Sequence, residues 1–352
     1  MLARPMTVSL VDPGDPVEAA ALDRWICAHA DSTPFHRPAW ITAVARGCRQ
    51  RALMLVARRE EAMAGVLPLS LITSRLFGRA LVSSGFAVDG GILADDAATA
   101  QALADECWRL AQLHRCPTAE LRGGVLPGEG WTEKSGAYLG FAKPLEADDE
   151  AQLLAVPRKH RAEIRKGLGK DLTIETGRDR RLLDIHYRLY AENVHRLGTP
   201  VFPKALFTEV LRAFGEDADI LLASKDGQPL TTIFSLYHRG VCMPYWQGSA
   251  LAARGMQSNE VAYFRLMGHA RQRGCTIFDF GRSKVGTGPA AWKKTWGWEG
   301  QPLTYALRAA PGEEPRDINP LSPQYQRKVE LWKKLPLPIA SLIGPHIARG
   351  LG

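Results

Sequence analysis

One pattern occurs twice in this chain. Arg51 to Ile72 reads RALMLVARREEAMAGVLPLSLI, and Asp219 to Tyr237 reads DILLASKDGQPLTTIFSLY. Each is an apolar run that ends in alanine and polar residues, then a short polar turn, then a second apolar run, which is the signature of a β-hairpin. Asp226-Gly227 is a strong turn signal, because a two-residue hairpin turn needs left-handed backbone at both positions; Glu60-Glu61 is a weaker one. Each hairpin follows a helical stretch (39–47 and 204–214) and precedes a further strand, a helix and a last short strand. In the first half the late helix and strand are expected at 97–113 and 118–122, and in the second at 259–273 and 276–280. The repetition predicts an α/β (α+β) chain of two tandem units, 1–145 and 175–310, joined by a basic linker or helix at 146–174 and followed by a basic amphipathic extension at 311–352.

A length of 352 residues agrees with two domains, and 45% hydrophobic with 23% charged residues is ordinary globular composition. The net charge of +8 favours an anionic partner: a phosphorylated ligand, RNA or an acidic membrane face. The six cysteines form no CxxC pair and no cluster with histidine at zinc spacing, so free, buried thiols in a reducing compartment and no metal are expected. The first ten residues carry no long apolar region, and no run reaches the length of a membrane span, which predicts a cytoplasmic protein. No P-loop and no GxSxG elbow are present.

Polar residues that can do chemistry gather between Met243 and Thr304. A strand carrying Tyr245 and Gln247 runs into a loop and a helix that Ser258 or Asn259 can cap. The next strand ends in Asp279-Phe280-Gly281-Arg282-Ser283, and Lys293-Lys294 follow among tryptophans. Asp279 alternates with Phe278 and Phe280 and so faces away from both. Two readings stand for it: a carboxylate held by Arg282 or Lys293, or the group that orients or deprotonates a nucleophile. The lysines suit a phosphate, or equally a solvated edge strand. Gly286 to Ala291 fits G-x-G-x-x-A only loosely and reads as a substrate-facing loop. The basic stretch Arg158 to Lys170 has helical spacing and suits an exposed face or a groove for a nucleic-acid backbone. The tail sets lysines and arginines beside Trp332, Leu335, Leu337, Ile339, Leu342 and Ile343, which fits either docking on the body or contact with a membrane surface.

Several stretches together resemble the FemAB family of acyl and aminoacyl transferases, and most closely its members found with exosortase/PEP-CTERM systems. They are PFHRPAWITAV at 34–44, GVLPLSLITSRLFGRALVSSGFAVDGG at 65–91, RKHRAEIRKG at 158–167, YWQGSA at 245–250, SNEVAYFRLMGHARQRGCTIFDFGRS at 258–283, WKKTWGW at 292–298 and the tail at 319–345. The resemblance implies two GNAT-type domains, each a mixed twisted sheet flanked by helices. It implies transfer of an acyl or aminoacyl group to an amine of a cell-envelope or exopolysaccharide precursor, with no tightly bound cofactor. The donor it implies is aminoacyl-tRNA or acyl-CoA. By position it makes Asp279 the catalytic candidate, Tyr245, Gln247, Asn259, Arg282, Ser283, Lys293 and Lys294 the lining of the cleft, and Trp40 a wall contributed by the first domain. The loop Leu251 to Ser258 departs from the (Gln/Arg)-x-x-Gly-x-(Gly/Ala) pattern that wraps a coenzyme A pyrophosphate, which fits an aminoacyl donor better. Acyl-CoA-dependent transfer, and RNA or polysaccharide binding on the same scaffold without chemistry, are the rival expectations.

Overall fold

A computed structural model describes residues 6–314 and 323–352; residues 315–322 of the predicted linker and tail lie outside the described residues. The first half contributes β1 (Met6–Val11), α1 (Pro16–Ala28), α2 (Pro38–Cys48), the hairpin β2 (Arg51–Arg59) and β3 (Ala62–Ser74), then β4 (Gly78–Ser83), the short β5 (Leu93–Ala94), α3 (Ala97–Leu113), β6 (Thr118–Arg122) and β7 (Thr132–Pro144). Two helices, α4 (Asp149–Ala155) and α5 (Arg158–Leu168), lead into the second half. That half holds β8 (Thr173–Gly177), α6 (Arg180–Arg196), α7 (Lys204–Phe214), the hairpin β9 (Ala218–Lys225) and β10 (Gln228–His238), and β11 (Val241–Ser249). It continues with α8 (Ala253–Met256), α9 (Ser258–Gln272), β12 (Ile277–Lys284), α10 (Gly288–Thr295) and β13 (Gln301–Ala309). The tail forms α11 (Pro323–Lys333) and α12 (Leu337–Ala348).

Both hairpins are present, and their turns are left-handed where the sequence asked for it: Asp226 has φ 50° and Gly227 φ 75°, while Glu60 takes φ 56°. Two expectations change. The N-cap of α9 is Gln257, in left-handed backbone and without a side-chain cap bond, rather than Ser258 or Asn259. The segment from Gly288 to Thr295, read as a substrate-facing loop and then lysines suited to a phosphate or equally to a solvated edge strand, is the helix α10, with Pro289 in its first turn where a missing N–H costs nothing.

The sequence predicts a sheet for each half, but the strands join in one, ordered β1-β2-β3-β4-β6-β13-β7-β12-β11-β10-β9-β8 with β5 on β3. The cause is an exchange of late strands. β13 pairs antiparallel with β6 (Tyr305↔Arg122 to Ala309↔Thr118), while β7 pairs antiparallel with β12 (Ile277↔Pro144 to Lys284↔Tyr138). The two exchanged strands also pair with each other, from Gln301↔Gly140 to Leu307↔Thr132. Each half thus completes its sheet with a strand from the other. The core is shared as well: Trp40, Val44 and Phe35 pack in one buried cluster with Leu206, Phe207, Phe234 and Trp246. All six cysteines are unpaired, and all but Cys27 are buried.

Candidate active site

In each half one parallel strand pair opens into a V. β11 and β12 are in register only at Val241↔Ile277 and Cys242↔Phe278 and then part; β4 and β6 do the same after Leu81↔Ala119 and Val82↔Glu120. Parting strands leave backbone amides and carbonyls facing a cleft rather than each other. β11 also carries a bulge. Phe234 lies opposite Trp246 and Ser235 opposite Pro244, so Tyr245 has no counterpart on β10. A second bulge falls in β12 between Asp279 and Arg282, where Gly281 takes φ 68°.

The bulge in β12 organises the charges. Asp279 Oδ1 accepts the Gly281 N–H at 2.7 Å, and the Lys293 ammonium donates to the carbonyls of Phe280, Gly281 and Arg282 at 2.6, 3.0 and 3.2 Å. Three acceptors match the three protons of an ammonium. Burial nevertheless pulls the Lys293 pKa down to about 8, against the pull of Asp279 in the other direction. Burial raises the Asp279 carboxyl, while the Gly281 amide and Lys293 hold it down. Arg282 does not pair with Asp279. Its guanidinium donates to the Tyr305 hydroxyl at 2.8 Å and lies over the Tyr138 ring, 4.4 Å from its centre.

The mouth of this V is met by the loop 84–92 of the first half. Tyr245 donates its hydroxyl proton to the Phe86 carbonyl at 2.7 Å, and Tyr305 donates to the Val88 carbonyl at 2.9 Å. Ser84 (φ 42°) and Phe86 (φ 65°) both sit in left-handed backbone, a strained arrangement held by hydrogen bonds from Ser84 Oγ to the Phe35 carbonyl at 2.6 Å and from the Gly85 N–H to Ser70 Oγ at 3.1 Å. The loop carries Asp89 toward the junction. Burial, with the Asp279 charge adding to it against hydrogen bonds from the Gly90 and Gly91 amides, raises the Asp89 pKa to about 6. Arg122, buried at the end of β6, donates to the Ala87 carbonyl at 3.0 Å and to the Gly352 carbonyl at 3.2 Å, and is paired with Glu120 at 2.7 Å. The strand exchange is what sets Tyr305 across from Arg122 and beside Arg282.

The structure therefore brings Asp279, Tyr245, Arg282 and Lys293 together and distributes the remaining sequence candidates elsewhere. Gln247 and Asn259 form a second polar cluster at the start of α9, where Asn259 Oδ1 accepts from Gln247 Nε2 at 3.1 Å and from Thr231 Oγ1 at 2.8 Å. Ser283 is buried, with its Oγ unpartnered. Lys294 is exposed on α10. Trp40 is no exposed wall. It is fully buried, donates its indole N–H to the Gly85 carbonyl at 3.2 Å, and stands edge-on behind Tyr245 at 5.3 Å. Trp40→Ala is therefore expected to act on stability, lowering the unfolding free energy by about 3–5 kcal/mol in denaturant titration.

Asp89, Arg122, Tyr138 and Tyr305 escaped the sequence reading. Asp89 had a usable signal, since an acid followed by glycines just past an apolar strand is the pattern that singled out Asp279.

Residues 156–294 match the family described as "Acetyltransferase (GNAT) domain". The protein carries a GNAT acetyltransferase domain. The GNAT domain holds both sides of the V between β11 and β12, together with Asp279, Arg282 and Lys293. Solved structures extend the likeness over the rest of the chain. A structure of FemX aligns with 93% of this chain and 100% of its own at 14% identity and TM-score 0.65. A tandem GNAT protein from the clavulanic acid biosynthesis pathway covers 88% and 100% at 13% identity and TM-score 0.54, and L-PGS from Bacillus licheniformis covers 96% and 97% at 13% identity and TM-score 0.54. At such identities the likeness establishes a shared fold, that of two GNAT units in tandem. No curated protein matches the sequence. With the GNAT domain set in that tandem fold, the protein is an acyltransferase.

Proposed function

We propose that the protein is a FemAB-type transferase that forms an amide on an amine of a cell-envelope or exopolysaccharide precursor, with an aminoacyl-tRNA as donor and an exosortase/PEP-CTERM system as its setting. The observation that carries this reading is that Asp89, on the loop of the first half, and Asp279, on β12 of the second, lie near enough for the Asp279 charge to raise Asp89, at a junction where Arg122 and Arg282 act on Tyr305. An amine that attacks a carbonyl must give up a proton to become an amide, and a carboxylate whose pKa lies near 6 is a better base at neutral pH than an ordinary one. In the proposed step the amine nitrogen bonds to the carbonyl carbon and a proton passes from nitrogen to Asp89. The ester C–O bond then breaks, and the leaving oxygen takes up a proton. Backbone N–H groups of the bulged stretch around Tyr245 are suited to hold the oxyanion formed on the way.

The choice of donor follows from the other end of the cleft. A pyrophosphate in a GNAT site needs open backbone amides before the helix α9. Here that loop is wound into α8, the Gly255 carbonyl accepts from Lys170, and Glu260 brings negative charge into the first turn of α9. Beside it, α5 buries His160, Ile164 and Gly167 and turns Arg158, Lys159, Arg165 and Lys166 to solvent. A face of this kind suits a long polyanion better than a compact cofactor. The names of two structural neighbours, FemX and L-PGS, agree with aminoacyl transfer at the cell envelope.

The reading is tested with the purified protein and two donors, charged tRNA and acetyl-CoA, with amide products followed by mass spectrometry. Transfer from charged tRNA, with no micromolar coenzyme A binding by calorimetry, is the expected result. Micromolar coenzyme A binding with acetyl transfer would replace the donor assignment. Steeply salt-dependent tRNA binding with no product from either donor would make the protein a binding module.

A further inference from the structure

The helix α12 is docked inside out. Its small residues Ala340, Gly344 and Ala348, spaced one turn apart, face the protein and are buried. A methyl group added at Gly344 would lie 3.1 Å from Val201, so the helix seats tightly through this stripe. Its large aliphatic residues point the other way: Ile339 is 48% exposed, Leu342 72% and Ile343 37%. They recur at the spacing of one helical face, and Leu331 of α11 adds a further side chain at 67% exposure. A helix that spends its small residues on packing and shows isoleucine and leucine to water has its apolar face reserved for something else.

The surroundings of this face are basic. From Leu331 to Gly352 there is no Asp or Glu; Lys333 is paired with Glu330 at 2.8 Å, and Lys334 and Arg349 bracket the apolar helix. The hairpin tip between β3 and β4 lies against the end of the same tail, where Gly350 packs beside Ser74 and Phe77. That tip reads Ser74-Arg75-Leu76-Phe77-Gly78-Arg79 and holds Leu76 at 69% exposure between two arginines.

We infer that α12 and the hairpin tip form a docking face for an anionic lipid bilayer, on which the protein rests with α12 in the interfacial plane. Among the described residues no helix is long and apolar enough to cross a membrane, and α12 spans 12 residues, so the fit is to lie on the surface and not to insert across it. Charge decides between a bilayer and a second copy of the chain. Around a two-fold axis the basic rims would face their own copies, and the tail's nearest acid, Glu330, is already paired with Lys333. A bilayer containing phosphatidylglycerol accepts the aliphatic face and the cationic rim at once. The inference goes beyond the transferase reading and stands on different residues.

The test is co-sedimentation of the full chain with phosphatidylcholine vesicles and with vesicles that also contain phosphatidylglycerol. The expected result is partition onto the anionic vesicles, weakened by salt and reduced at least about tenfold by Leu342→Asp with Ile343→Asp. Leu342 is 72% exposed, so Leu342→Asp alone should keep the melting temperature of the parent protein while already weakening the partition. Leu76→Asp, on a separate element, should weaken the same partition. No partition of the parent chain, or equal partition of the double variant, overturns the proposal. Concentration-dependent dimerisation in light scattering that the double variant abolishes, without vesicle binding, also overturns it and assigns the face to a second copy.

Discussion

Asp89→Asn is expected to lower amide-forming turnover by a factor of about 10²–10⁴ and, at the same time, to make the protein more stable above pH 6. The two effects have one origin. Asp89 titrates at about 6 in the folded protein against 3.8 ordinarily, because burial and the neighbouring Asp279 charge disfavour its ionised form. The folded state therefore binds more protons than the unfolded state between those values, and stability falls as pH rises from about 4 through 6. Well below pH 3.8 the carboxyl is protonated in both states and the difference disappears. Asparagine never ionises, so the gap between variant and parent should open from about 0.5 kcal/mol at pH 4 to about 1–3 kcal/mol above pH 6. Denaturant titrations at pH 4, 5, 6 and 7 measure it directly. A catalytic carboxylate predicts lost turnover with gained stability, whereas a structural one predicts that both fall together. Asp279→Asn is the partner experiment. It removes the charge that helps hold Asp89 up, so any activity it retains should shift its acidic limb to lower pH.

How much of this was readable in advance follows from which signals are local. The hairpins at 51–72 and 219–237 are local objects: alternating apolar runs with a turn whose chemistry demands left-handed backbone, and both form where the pattern puts them. The helix 97–113 is equally local, with Asp96 as its cap. The strand exchange is not. Nothing in Thr132–Pro144 or Gln301–Ala309 says which sheet will accept each strand, because an antiparallel ladder is built from backbone groups that every sequence offers. That single non-local event brings Tyr305 to Arg122 and Arg282, and so half of the junction was beyond reach. Asp279 was found because an acid, with one residue between it and a glycine, stands at the end of the strand expected at 276–280, but that strand runs on to Lys284, and of the two expected partners, Arg282 and Lys293, the arginine went elsewhere. The Gly281 bulge turns Asp279 onto its own backbone and leaves the guanidinium to two tyrosines of the exchanged strands. Trp40 misled for a general reason. A tryptophan next to a turn looks alike whether it stacks on a ligand or closes a core, and only the partners Phe35, Tyr245 and Trp246 decide.

Gly47→Val is expected to cost about 3–5 kcal/mol of stability and to reduce transfer by more than the loss of folded protein explains. Gly47 lies where α2 of the first half crosses α7 of the second, and a Cβ there would stand 2.4 Å from the Leu206 Cα and 2.7 Å from its nitrogen. Both are backbone atoms of a packed helix, so no rotamer change relieves the clash and the helices must separate. Just before α2 the chain passes through Phe35 and Arg37. The Phe35 carbonyl holds Ser84 Oγ at the root of the loop that carries Asp89, and Arg37 bridges Asp23 to Asp217 across the two halves at 2.8 and 2.7 Å. Displacing α2 therefore moves the Asp89 loop relative to the V it closes. Arg46→Ala is the matched control. Its side chain is mostly exposed and meets Glu209 only at 3.8 Å, so its removal should change stability by less than about 0.5 kcal/mol and leave turnover unaltered. Turnover in the Gly47 variant that follows the folded fraction alone, measured by unfolding and transfer assays on the same samples, would show that the junction does not depend on how the two halves are pressed together.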